Sequence, residues 1–297
     1  MNLPKTTGQS TGYLYGFLCA FFSAVMIVLI KRVQESLPTL SILVVVLAVA
    51  ALVLSVVMFT GGRHRVLAKV SVRGWVWVGG IAASTFFCYW TFFAAIDLLD
   101  PTVASFLGRA ETLVTIAFGV AFLGERFRKV EIVGAVLVLF GVGVIRYTGG
   151  VEISKGFVLC IVSCVLWGVT EGLAKVAVKH ASPLFFTWGR TVLLAPAFWA
   201  TAIASDQGLV LPDSTRLWVL VIALSLSGPV VARYLYMKCL TLLPVSRAAL
   251  INQSQPIFVA AIAGIALGVL PGVREWIGGG VIIAGCLVLV WERKNNR

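Results

Sequence analysis

Five ionisable residues, Arg109, Glu111, Glu171, Arg190 and Arg233, stand inside long apolar runs of this 297-residue chain. An ion at the centre of a helix in lipid costs about 2.5–3.5 kcal/mol. Five of them facing lipid would cost roughly 12–18 kcal/mol, as much as a typical total stability of about 5–15 kcal/mol. These side chains must therefore face protein or water, where they can hold a polar solute, carry a proton or tie helices together. Lys175, Lys238 and Arg247 stand nearer the ends of their runs, where long side chains reach the interface.

Depth can be counted from the hairpins at about 1.5 Å per residue. From the turn near His180-Ala181, Glu171 and Arg190 both lie about 14 Å into a core about 30 Å thick, so an ion pair between them is expected. The same count from Asp100 puts Arg109 and Glu111 about 14–17 Å deep, level with Tyr89 and Trp90. An internal duplication, set out below, gives these four the counterparts Gln253, Gln255, Arg233 and Tyr234. All are polar or aromatic, which predicts a wet amphipathic zone at mid-depth. On the fourth helix Arg109 and Glu111 are about 200° apart, so they cannot both point directly into one cavity. The stripe of Gly108, Glu111 and Thr115, matched by Asn252, Gln255 and Val259, is the expected lining. The candidate substrate-binding set is Tyr89, Trp90, Arg109, Glu111, Trp167, Glu171, Arg233, Tyr234, Asn252 and Gln255.

Three arginines against two glutamates leave this zone at a net +1. In a low-dielectric cavity a guanidinium without a counter-charge attracts a carboxylate or phosphate and binds it with a planar fork. The substrate is thus expected to carry a negative group, with Arg233, which follows Gly228-Pro229, as its anchor while Arg190 is taken by Glu171. If a proton is coupled to transport, Glu111 is its expected carrier, because Glu171 has an arginine assigned to it. No catalytic constellation competes with this reading. The only histidines, His64 and His180, fall in or near connections, and no Ser-His-Asp, HExxH or clustered carboxylate pattern occurs. The six cysteines lie in apolar runs without a CxxC, so they read as small apolar filler. Neither metal nor other cofactor is expected.

The elements that must position these residues follow from composition. Sixty per cent of the residues are hydrophobic and 12% charged, against about 25% charged in soluble domains, and the mean hydropathy is +1.00. The bilayer is the expected solvent and partner. The net charge of +12 would suggest nucleic acid in a soluble chain, but its basic residues crowd into short segments between apolar runs, as topology determinants do.

Spans are expected at 13–32, 38–60, 74–98, 101–123, 129–147, 155–179, 183–204, 216–241, 244–268 and 273–291. The first is read as a retained helix, being long for a signal segment and lacking a cleavage site. With the amino terminus inside, cytoplasmic segments hold twelve basic residues and external ones six, so both termini are expected in the cytoplasm. The chain also repeats. At an offset of 144, Leu98-Leu99 falls on Leu242-Leu243, Glu131 on Glu275, Gly134 on Gly278 and Gly141 on Gly285; at 140, Gly16-Phe17 meets Gly156-Phe157. Two units are expected, 1–148 and 149–297. Each would have five helices, an odd number, so the second must be inverted. Pro196, Pro229 and Pro256 are expected to interrupt helices of the second unit only, each freeing a carbonyl, with Gly228-Pro229 as a candidate hinge.

The duplicated ten-helix plan, the run LGERF at 123–127 and the glycine-spaced EIVGAVLVLFGVGVI at 131–145 resemble EamA-type members of the drug/metabolite transporter superfamily. The resemblance implies an all-α polytopic protein of ten spans in the cell membrane, such as the bacterial inner membrane. It implies a carrier that moves a small polar metabolite without ATP, with a cavity lined by the first, third, fourth, sixth, eighth and ninth helices. The second unit departs from the motif, with Val269 and Leu270 where Glu125 and Arg126 stand, so the Glu-Arg pair reads as an interfacial cap and anchor. A lipid flippase or a multidrug exporter on the same scaffold is the alternative. Monomer and homodimer stay open.

Overall fold

The computed structural model describes residues 5–60, 67, 70–123, 129–146, 154–178, 180, 182–205, 208–243, 248, 251–268 and 270–295. Most of the 61–73 connection, including His64, and residues 124–127 of the LGERF run lie outside them, as do the side chain of Lys175, Arg247 and both chain ends.

The described residues form α1 (Lys5–Gln34), α2 (Thr39–Phe59), α3 (Val72–Leu98), α4 (Pro101–Gly108), α5 (Glu111–Leu123) and α6 (Lys129–Arg146) in the first half. The second half contains α7 (Lys155–Ala177), α8 (Pro183–Ala204), α9 (Thr215–Ser225), a π-helical segment (Leu226–Ala232), α10 (Arg233–Leu242), α11 (Gln255–Leu267) and α12 (Val273–Asn295). Helix starts follow local chemistry. The side chains of Ser71, Asp100, Ser154, Ser182 and Ser214 each accept a backbone N–H of the first turn, and Pro101 and Pro183 take first-turn positions where a missing N–H costs nothing.

Segments 10–34, 39–59, 72–98, 155–174 and 215–242 are long and apolar enough to cross a membrane. The fourth apolar run, where no proline predicts an interruption, is not continuous, and neither is the ninth, where Pro256 does. The fourth is cut into pieces of 8 and 13 residues by a turn at Arg109-Ala110. A matching turn at Gln253-Ser254, 144 residues on, ends one helical stretch and opens the 13 residues of α11. Both turns tighten to i→i−3 hydrogen bonds, from Arg109 N–H to Phe106 O and from Ser254 N–H to Ile251 O. Pro256 opens α11 rather than interrupting a continuous helix. Pro196 does lie inside α8 and Pro229 inside the π segment.

The halves embrace rather than sit side by side. α3 runs along α7, α1 along the π segment and α10, α2 along α8, α6 along α12, and α4 against α11. Gly12 on α1 lies against Leu242 and Leu243, and Gly156 on α7 against Leu98 and Leu99, each too close to admit a Cβ. The two leucine pairs are the ones that coincide at the offset of 144. Large apolar side chains such as Leu52, Leu139, Phe140 and Ile265 stay exposed on the outer faces, an apolar surface of the kind lipid covers.

Candidate functional site

One cavity of about 80 Å³ lies where the halves meet, bounded by α1, α3, the turn between α4 and α5, α7, α8, the π segment, α10 and the turn before α11. Tyr89, Arg109, Glu111 and Trp167 of the candidate set line it, as do Glu171, Arg233, Asn252 and Gln255. Trp90 and Tyr234 do not. Trp90 is 38% exposed and stacks on Phe198, while Tyr234 lies beneath the Lys238 ammonium.

Depth counting fixes height along a helix but not direction around it, and that explains both differences. Trp90 and Tyr234 follow Tyr89 and Arg233 by one residue, hence by about 100°. The residues three positions on, Phe92 and Tyr236, share the inward face and line the cavity. They are also related by the offset of 144, so the i, i+3 spacing repeated in both halves was the signal that could have found them.

The charges pair differently from expectation. Glu171 does not pair with Arg190. Its Oε1 accepts from Arg233 Nη1 at 2.5 Å, with both side chains buried. Arg233 follows the π turn, which holds an extra residue per turn and so rotates what comes after it relative to a regular helix. Arg233, the expected anchor, thus already has a counter-charge.

Arg109 and Glu111 both line the cavity, where a continuous helix would have turned one of them away. The turn between them cancels the angular separation and leaves Arg109 Nη1 at 3.7 Å from Glu111 Oε1. The same guanidinium donates to the Asn252 carbonyl at 3.1 Å and to Gln255 Oε1 at 2.7 Å. Gln253, the counterpart of Arg109, donates to Thr112 Oγ1 at 3.3 Å. The two turns therefore clasp each other across the junction of the halves.

Arg190 is 1% exposed and lines the same cavity. Its Nη2 donates to the Tyr89 hydroxyl at 3.4 Å, and its guanidinium lies 5.7 Å from the centre of that ring. Its Nε has no hydrogen-bond partner, and no carboxylate among the described residues forms an ion pair with it. Tyr89 stacks in turn on Trp167, which Phe92 also meets, so an aromatic wall stands beside a cation that no carboxylate among the described residues contacts. Of the other aromatics singled out, Phe86 packs on Phe198 and Phe87 is 59% exposed. Cys160 and Cys164 point thiols at the carbonyls of Ala104 and Leu107 in α4, the packing role expected of them.

A broken helix in each half, a polar junction between the halves and an apolar exterior define a membrane transporter. The sequence profile of the EamA-like transporter family matches this chain twice, at residues 10–147 and 154–291, and the chain belongs to that family. No curated protein matches it. A crystal structure of a protein 18% identical superposes with a TM-score of 0.71, over 97% of this chain and 100% of the other, and so has the same fold.

Proposed function

We propose that this protein is a secondary carrier of a small polar metabolite, amino-acid-like or anionic, working by alternating access without ATP. In this reading the chain crosses a cell membrane such as the bacterial inner membrane ten times. Two inverted five-helix units, 1–148 and 149–297, place both termini in the cytoplasm. The observation that carries it is the cavity at the junction of the halves, with three arginines and two glutamates on an otherwise largely apolar wall. Buried ions at this density are expensive in lipid and mark a substrate or ion path. The mirrored contacts of Gly12 and Gly156 with matching leucine pairs support the inverted arrangement. They are what two conformations exchanged by swapping the roles of the halves would require.

Reconstitution into liposomes tests the reading. Protein-dependent flux of labelled water-soluble metabolites supports the carrier. Movement of fluorescent lipid without solute flux would instead identify a flippase on this scaffold.

A further inference from the structure

We propose that the substrate is a small monoanion without an ammonium group, whose carboxylate docks on Arg190; this rests on the carrier reading above. The cavity contains three guanidinium and two carboxylate groups. Both carboxylates are engaged, Glu171 by Arg233 at 2.5 Å and Glu111 by Arg109 at 3.7 Å. A substrate ammonium would meet carboxylates whose charge a guanidinium already balances, with Glu171 Oε2 left without a hydrogen-bond donor. A substrate carboxylate meets no such competition at Arg190: all three guanidiniums have an unpartnered Nε, but Arg109 and Arg233 each face a carboxylate, whereas Arg190 has only the Tyr89 hydroxyl. One negative charge at Arg190 brings the cavity to neutrality.

The energetics point the same way. A buried ion without a partner costs several kcal/mol, and Arg190 is among the largest fully buried side chains described. A residue that only held the fold together would face a counter-charge, as Arg233 faces Glu171. Arg190 is held within the cavity in the state that an incoming anion relieves, through two N–H groups in a bidentate fork. The wall of Tyr89 and Trp167 offers the substrate's carbon skeleton an apolar face. A cavity of about 80 Å³ holds at most about five to eight waters, which sets the scale of the solute.

The test is a thermal-shift panel on the purified full-length protein. The probes are monocarboxylates of about four to eight heavy atoms, each paired with its neutral amide and its 2-amino analogue. Lactate, lactamide and alanine form one such trio of equal size. At least one monocarboxylate is expected to stabilise the protein, roughly ten- to hundredfold more tightly bound than its amide or amino partner. Arg190→Met should raise the melting temperature of the ligand-free protein while abolishing that shift, and Arg190→Lys should weaken it. If no monocarboxylate binds, or the amides or amino acids bind as well, the proposal is overturned. It is also overturned if Arg190→Met lowers ligand-free stability, since the residue would then be structural. Solute flux in liposomes alongside any of these outcomes leaves the carrier reading intact.

Discussion

Arg109 donates to the backbone carbonyl of Asn252 at 3.1 Å, and that carbonyl is the one Pro256 leaves unpaired. In a continuous helix the N–H four residues on would satisfy it, but residue 256 is a proline and has none. A side chain from the first half therefore completes the backbone of the second. Arg109→Ala should destabilise the protein by about 2–4 kcal/mol, the cost of losing a charged hydrogen bond and leaving a buried carbonyl bare. In the Pro256→Ala background the loss should be smaller, because the substitution restores a backbone N–H at that position. Chemical denaturation in detergent of the two single variants and the double variant measures the coupling. Additive losses would show that the carbonyl is not what Arg109 serves.

The Glu171–Arg233 pair should behave as a structural tie. Removing either partner strands a buried charge, so Glu171→Gln and Arg233→Gln are each expected to cost about 3–5 kcal/mol. The double variant should cost much less than their sum. Thermal stability of the three proteins decides it, and a double variant as weak as the sum would refute the tie.

Glu111 is the better candidate for a coupling proton. Its arginine stands at 3.7 Å, against 2.5 Å for Glu171. Glu111→Gln should abolish accumulation driven by a pH gradient while sparing exchange of substrate across liposomes. Unchanged gradient dependence would remove Glu111 from consideration.

Orientation is open to direct measurement. In a cysteine-free background, a single cysteine at position 65 should resist an impermeant thiol reagent added outside, and one in the Asp97–Asp100 turn should react. The reverse pattern would invert the proposed topology.

Sequence made the helices legible because apolar runs in lipid must be helical to satisfy their backbone; the structure closes their first turns with Ser71, Asp100, Ser154, Ser182 and Ser214. Sequence also brought most of the cavity residues to one depth. What it did not reveal is azimuth. The break at Arg109-Ala110 has no proline to signal it, although its counterpart is followed by Pro256. The π turn before Arg233 leaves no local mark beyond Gly228-Pro229. Partner choice among Glu171, Arg190 and Arg233 depends on rotations of this kind, and these are set by packing against the other half.

The π segment Leu226–Ala232 has no equivalent in α3, whose corresponding stretch is regular helix. It stores one surplus residue beside Met26, against which Gly228 is pressed. Releasing that slack would turn α10 by about 100° and shift it by about 1.5 Å, carrying Arg233 off Glu171. Among the described residues the π winding occurs in the second half alone. On the carrier reading proposed above, halves that were energetically alike would rest equally in both directions, and a spring on one side would set a preferred resting pose. Distances between spin labels on α3 and α10 should accordingly show unequal populations in the absence of substrate.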